Sequence, residues 1–301
     1  MNKTYTWYLL AGAGLTIVLG GVAIWFTLTS SEPEPEPVIE ETAPDPEPIR
    51  STKTIGTSAE EREILVHTFG DGDTRILLVG GVHGGYEWNS ILLAYQMIDF
   101  FVANPEEVPS EMTIDIIPNL NPDGLYAATG LSGRFSATDI TDYSMHTTGK
   151  GRFNANDVDL NRNFACKWAP ESSWRGKTVS AGSEPFSEPE AQALRNQVET
   201  TNPQAVIFWH SKANNVYASE CHEGPLPLTL EIMNAYAEAG NYGAIPVFDA
   251  YPITGDAEGW LASIGIPAIT VELEGRTTTE WSRNLAGTKA VIDTLSQKLA
   301  R

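Results

Sequence analysis

Basic residues are scarce in this chain. It carries 19 Lys and Arg against 39 Asp and Glu, a formal net charge of −20 over 301 residues. Nucleic-acid binding needs a basic footprint on phosphate, so that class of partner is excluded. Seven acidic residues fall between Glu32 and Glu47, so the acidity is only partly a tail effect and serves a solvated surface. Internal repeats are absent, which excludes solenoids and propellers. There are two cysteines, Cys166 and Cys221, so one intrachain disulfide is the most the chain can form.

Charge is missing altogether from Trp7 to Thr29, "WYLLAGAGLTIVLGGVAIWFTLT". As helix this run reaches about 34 Å, enough to cross a bilayer with some tilt. Trp7, Tyr8, Trp25 and Phe26 stand near its ends, as interfacial aromatics do. Lys3 precedes it and the next basic residue is Arg50, so the positive-inside rule puts the N-terminus in the cytoplasm and the rest outside. A cleaved signal peptide is the competing reading, but its apolar core is ordinarily shorter and no small-x-small site precedes the acidic run. The expected organisation is a cytoplasmic N-terminus and transmembrane anchor over 1–29, a Pro/Glu-rich stalk over 30–52 that is extended and self-repelling, and one domain over 53–301. The bilayer is then a partner through the anchor, the domain is extracytoplasmic, and it acts as a monomer.

Within the domain, strand and helix patterns alternate. Glu63–His67 and Arg75–Val79 read as neighbouring strands joined by "GDGDT", and "MTIDIIPNL", "AVIFWH" and "IPAITVELE" as further strands. "WNSILLAYQMIDFFVAN", "PLTLEIMNAYAEAG" and residues 280–299 have helical spacing. "SEPEAQALRNQVETT" is a helix whose Ser187 and Glu190 form a capping box. Apolar, non-alternating strands between helices predict an α/β fold with a mostly parallel sheet and helices on both faces. Ligands of such folds bind beyond the carboxyl ends of the strands.

Two strand ends carry metal-ligating side chains. The run Ile76–Val79 gives way to "GGVHGGYEW", with His83 and Glu87, and "AVIFWHS" ends on His210. Two histidines and a glutamate are the ligand set of a catalytic zinc with an open fourth position. A lone strand-end histidine is more often a satisfied polar residue, and this spacing is not specific by itself.

Four further motifs decide between those readings: "NPDG" at 121–124, "GRFNANDVDLNRNF" at 151–164, "PFSEPEAQAL" from Pro185 and "ITVELEG" from Ile269. In this order, from about residue 63 onward, the chain resembles the zinc carboxypeptidases of the carboxypeptidase A (funnelin) family. The resemblance implies a three-layer α/β/α sandwich on a mixed, mainly parallel, roughly eight-stranded sheet, and one Zn2+ per chain held by His83, Glu87 and His210. It implies Glu272 as catalytic base, Arg152 on the scissile carbonyl, and Asn161 and Arg162 on the terminal carboxylate of a peptide substrate. Asp159 would support His83, Tyr251 would be the mobile tyrosine, and Glu258, seven residues on, would line the pocket for the C-terminal side chain and favour a basic one. The family usually has two residues between its first histidine and its glutamate; here there are three.

Rival assignments are Glu274 for the base, Arg134 for the oxyanion role and Asp256 for the selector. His67, His146 and His222 have no motif support and read as structural or solvated. Cys166 and Cys221, both on the outward side, are expected to be bonded. The activity implied is removal of a C-terminal residue from peptides outside the membrane. Trimming of peptidoglycan stem peptides and a catalytically inactive peptide-binding homologue are the alternatives, the latter favoured only by the lengthened His83-to-Glu87 spacing.

Overall fold

The computed structural model describes residues 50–299. The expected anchor over 1–29 and most of the stalk lie outside the described residues, and among those described no helix is long and apolar enough to cross a membrane. In chain order the elements are β1 (Arg50–Thr57), β2 (Glu63–Phe69), β3 (Thr74–Val79), α1 (Trp88–Ala103), β4 (Met112–Ile117), α2 (Pro122–Thr129), α3 (Met145–Lys150), β5 (Glu171–Trp174), β6 (Lys177–Ser180), α4 (Pro189–Thr201), β7 (Ala205–Ser211), β8 (Asn215–Ala218), α5 (Pro227–Gly240), β9 (Gly243–Ile245), α6 (Ala257–Ser263), β10 (Ala268–Leu273) and α7 (Trp281–Leu299).

Eight strands form one mixed sheet in the order β1-β2-β4-β3-β7-β10-β8-β9, and β5 and β6 form a separate hairpin. The strands β4, β3, β7 and β10 at its centre run parallel. Their side chains alternate between two cores. Ile76, Leu78, Ile207, Trp209, Ile269 and Val271 pack with α1, α5 and α7. Leu77, Val79, Val206, Phe208 and Ala268 pack with α4 and α6 on the other face. Each such side chain, fully buried, contributes roughly 1.5–3 kcal/mol. Even-numbered positions at the ends of β7 and β10, His210 and Glu272, therefore point to the α4/α6 side. A buried chain of hydrogen bonds holds the opposite face in register: Trp209 Nε1 donates to the Tyr236 hydroxyl (3.0 Å), which donates to Asn284 Oδ1 (2.7 Å).

Two local expectations are corrected. β2 and β3 are not neighbours, because β4 inserts between them. Its buried Asp115 explains the insertion, accepting from Thr68 Oγ1 of β2 (2.7 Å) and Arg75 Nη1 of β3 (2.8 Å). The capping box on α4 does not form, and Glu188 is the N-cap with no side-chain cap bond. Glu190 is drawn instead to Ala59 N and Asn154 Nδ2 (both 3.1 Å), and Ser187 Oγ donates to Glu188 (2.8 Å).

Those same residues brace the loop that carries the site. Glu188 Oε2 accepts from Asn154 Nδ2 (2.7 Å) and Asn156 Nδ2 (2.8 Å), while Glu188 N donates to Asn163 Oδ1 (3.0 Å). The "FSEPE" and "NANDVDLNRNF" segments are thus one hydrogen-bonded unit.

Cys166 and Cys221 are disulfide-bonded, 55 residues apart in sequence. Closing a loop of that size contributes about 4 kcal/mol in the chain-entropy account. The expected result is no reactive thiol in the unfolded, unreduced protein and a stability loss of that order on reduction, measured by urea unfolding with and without reductant. Two reactive thiols before reduction would contradict the bond.

Candidate active site

The carboxyl ends of β3, β7 and β10 converge on one pocket of about 1010 Å³. β3 ends at Val79, in register with Phe208 of β7, and His210 lies opposite Glu272 across the β7–β10 pair. Beyond β3 the residues 84–87 form a single 3-10 turn before α1. This turn absorbs the extra residue between His83 and Glu87. Gly84 takes φ +43°, and a Cβ there would lie 2.8 Å from the carbonyls of Asn121 and Gly151, so neither the conformation nor the space suits another residue. The turn returns Glu87 to His83, with Glu87 Oε2 3.1 Å from His83 Nδ1.

His210 closes the group. Its Nδ1 lies 2.9 Å from Glu87 Oε2 and 3.2 Å from His83 Nδ1. All three residues are buried, and their donor atoms lie within 4.8 Å of one another. Both outer ring nitrogens face carboxylates: His83 Nε2 is 3.4 Å from Asp159 Oδ1, and His210 Nε2 is 3.4 Å from Glu258 Oε1. Burial disfavours a charged His210, but Glu258 and Glu87 outweigh it and hold its pKa up at about 10. Burial likewise opposes ionisation of Asp159, yet Arg152 and His83 keep its carboxyl well below the ordinary range. Two imidazoles ringed by three ionised carboxylates call for positive charge. A divalent cation with nitrogen and oxygen preference fits that donor set, with the inner nitrogens as ligands and the outer ones oriented by carboxylates.

Glu272 is set differently. Its Oε2 is buried without a partner. Burial first, and the charge of Glu87 second, raise its pKa to about 7. The rival Glu274 is exposed and pairs with Arg283 at 3.5 Å, away from the pocket lining.

Arg152 is buried and donates twice to Asp159 Oδ2, from Nε (3.0 Å) and Nη2 (2.8 Å), beside the rings of Tyr86 and Trp174. Asp159 therefore joins Arg152 to His83. Breaking such a buried pair from one side costs about 3–5 kcal/mol. The rival Arg134 pairs with Asp99, covers the Tyr95 ring and lines a different cavity beside Trp88.

Asn161 and Arg162 lie on a 3-10 turn begun by Asp159, whose side chain accepts from Asn161 N. Phe164 N donates to Gly255 O and Gly255 N to Cys166 O, which ties this segment to the start of α6. Asn161 Oδ1 accepts from Ala257 N (3.0 Å), and Arg162 Nε donates to Ser172 Oγ of β5 (3.2 Å) and its Nη1 to Asn161 O. Tyr251 stands at the pocket rim, 54% exposed, with its ring against Phe248.

Glu258 lies in the first turn of α6 and in the pocket lining. Its carboxylate accepts from Thr270 Oγ1 (2.9 Å) and faces His210. Burial opposes its ionisation, but His210 holds its pKa below the usual value. It stands behind a histidine and also belongs to the pocket lining. Asp256, the rival selector, caps α6 through Gly259 N (2.8 Å), and burial and Glu258 raise its pKa to about 6. His67 bonds Thr52 and His222 is exposed; the side chain of His146 lies outside the described residues. Sequence reasoning missed Arg276, Tyr86 and Trp174 in the pocket wall. The one signal was Tyr86, a large aromatic between two expected ligands.

Two buried histidines and a glutamate that could hold a metal thus lie beside a carboxylate with an unpartnered buried oxygen, at the end of an α/β sheet. The zinc carboxypeptidase family pattern matches residues 38–282, and the chain belongs to that family, hydrolases acting on peptide bonds. Carboxypeptidase B of Astacus astacus is 28% identical over 173 residues, 54% of this chain and 54% of that protein. Gamma-D-glutamyl-L-diamino acid endopeptidase 1 of Lysinibacillus sphaericus is 23% identical over 242 residues, 73% of this chain and 59% of that one. The crystal structure of thrombin activatable fibrinolysis inhibitor shares the fold, with a TM-score of 0.65 at 18% identity over 83% of this chain and 70% of the other. The chain thus spans about half the length of the carboxypeptidase B it matches.

Proposed function

We propose that this chain is a zinc-dependent metallocarboxypeptidase that hydrolyses the C-terminal peptide bond of peptides outside the membrane, acting as a monomer. The observation that carries this reading is one pocket holding the His83–Glu87–His210 group, Glu272, and the Asn161–Arg162 pair. Zinc at that group supplies Lewis acidity, lowering the pKa of water and polarising the carbonyl. Glu272 accepts the proton of the attacking water and returns it to the leaving amine. Arg162 binds the free carboxylate with its planar fork, Asn161 beside it, and Tyr251 covers the substrate from the rim. Arg152 offers its remaining donor, Nη1, to the developing oxyanion while Asp159 holds it in place.

The inactive-homologue reading drew on the long His83-to-Glu87 spacing, which the 3-10 turn accommodates. A basic preference resting on Glu258 loses support, because that carboxylate is engaged by His210 and Thr270. The extracytoplasmic location, on an anchor over 1–29, is supported by the disulfide, a bond that persists in oxidising compartments.

The test uses peptides that end in a free acid or an amide. Hydrolysis should require the free acid, and Arg162→Ala should lower kcat/KM on it by about 10- to 100-fold, the worth of a charge-assisted hydrogen bond. Equal cleavage of acid and amide would overturn the carboxypeptidase assignment. A second reading, cleavage of γ-glutamyl bonds in peptidoglycan stem peptides, is favoured by the similarity to the Lysinibacillus endopeptidase.

A further inference from the structure

Arg276 follows β10 by three residues, and its side chain lines the same pocket. The guanidinium lies over the Tyr86 ring, 4.2 Å from its centroid, and Nη2 donates to the Ser211 carbonyl (3.0 Å). Nε is buried with no partner. Arg62, Arg75, Arg134, Arg152 and Arg283 each pair with a carboxylate, but among the described residues no ion pair includes Arg276. A partly buried cation with no carboxylate in ion-pair contact has room for an anion from a ligand. Stacking on Tyr86 and the bond to Ser211 fix the fork before any ligand arrives, which limits the ordering cost of binding.

Arg162 also lines the pocket outside those ion pairs, and it and Arg276 have different neighbours. Arg162 touches Asn161 and Ser172. Arg276 touches Tyr86, between the ligands His83 and Glu87, and Ser211, next to His210. It is also near enough to Glu272 to pull that group's pKa down. With the terminal carboxylate of a peptide on Arg162 and its scissile carbonyl at the metal group, Arg276, stacked on Tyr86 and bonded to Ser211, is placed for the acyl side.

We propose that Arg276 binds a second carboxylate, carried by the residue on the acyl side of the scissile bond, so that the preferred substrate presents an anion on each side of that bond. This rests on the carboxypeptidase reading of Arg162. Two sources share the chemistry: a γ-linked glutamyl residue, whose α-carboxylate stays free, and an α-linked acidic residue, whose side chain supplies it.

Four substrates with one common C-terminal residue separate these sources: γ-D-glutamyl, its α-amide, α-linked Glu and α-linked Gln on the acyl side. Wild type should favour the acid over its amide by about 10- to 100-fold in kcat/KM in one of the two pairs, and that pair names the source. Arg276→Gln should bring the ratio near one, and Arg276→Lys should keep part of it. A wild-type ratio near one in both pairs overturns the proposal, as does an Arg276→Gln variant that slows acid and amide equally. Hydrolysis of none of the four would fall on the carboxypeptidase reading itself. Calorimetric binding of N-acetylglutamate against its uncharged diamide then decides the role of Arg276 without turnover. Glutamate-selective binding abolished by Arg276→Gln and retained in Arg162→Gln supports the assignment, and selective binding that survives Arg276→Gln overturns it.

Discussion

Glu272→Gln should keep one zinc per chain and bind peptide, yet lose about two to four orders of magnitude in kcat, the range that a positioned general base contributes. The amide fills the same volume opposite His210, and no ligand to the metal is removed. What is lost is, among the described residues, the one pocket carboxylate with a buried oxygen that lacks a partner. The pH dependence carries the same signature. Burial and Glu87 raise the Glu272 pKa from 4.5 to about 7, so the neutral form is favoured inside the protein. A base acts only when deprotonated, so wild-type kcat/KM should rise with pH through this region and fall away on the acid side. Glu272→Gln should lack that limb. A variant with wild-type kcat, or a wild-type profile flat on the acid side of neutrality, would remove Glu272 from the role.

His210→Ala should abolish stoichiometric zinc binding, read by elemental analysis after dialysis at neutral pH, and activity with it. The damage should extend to folding. Glu87 and Glu258 both face His210, and without it two buried carboxylates lose their shared partner. Removing one member of a buried pair costs about 3–5 kcal/mol, so the melting temperature should drop even when metal is withheld. Glu258→Gln gives the graded control: zinc affinity should weaken by about 10- to 100-fold, as loss of a carboxylate behind a ligating histidine does. Full zinc retention in His210→Ala would show that the ligands are wrongly assigned. Full retention in Glu258→Gln would free that residue from the metal group.

Much of this arrangement could be read before any coordinates. The central strands announced themselves as short apolar runs, and the strand-end rule placed His83 and His210 together without knowledge of sheet order. What escaped has identifiable causes. β1 is a polar, mostly exposed edge strand, so it lacks the apolar pattern that marks a strand, and it begins at Arg50, ahead of the boundary at 53. The position of β4 between β2 and β3 depends on Asp115, whose partners come from strands on both sides. Sequence-adjacent strands usually pair, and that habit misled. Counting from Tyr251 located Glu258 on α6, but the direction of its side chain depends on how α6 is rotated against β10, which a count along the chain does not contain. Arg276 sits in a loop with no motif, and only the fold brings it to Tyr86.

The Cys166–Cys221 bond has a consequence for survival among proteases. It turns the stretch that holds the β5–β6 hairpin, α4 and β7 into a covalent ring, with Asn161 and Arg162 just before one cysteine and His210 inside the loop. The hairpin presents exposed residues such as Arg175 and Lys177, the kind of site at which a chain is cut. A single cut there opens the ring without dividing the molecule. Asn161, Arg162 and His210 remain on one covalent body, and the nicked chain would run as two pieces only after reduction.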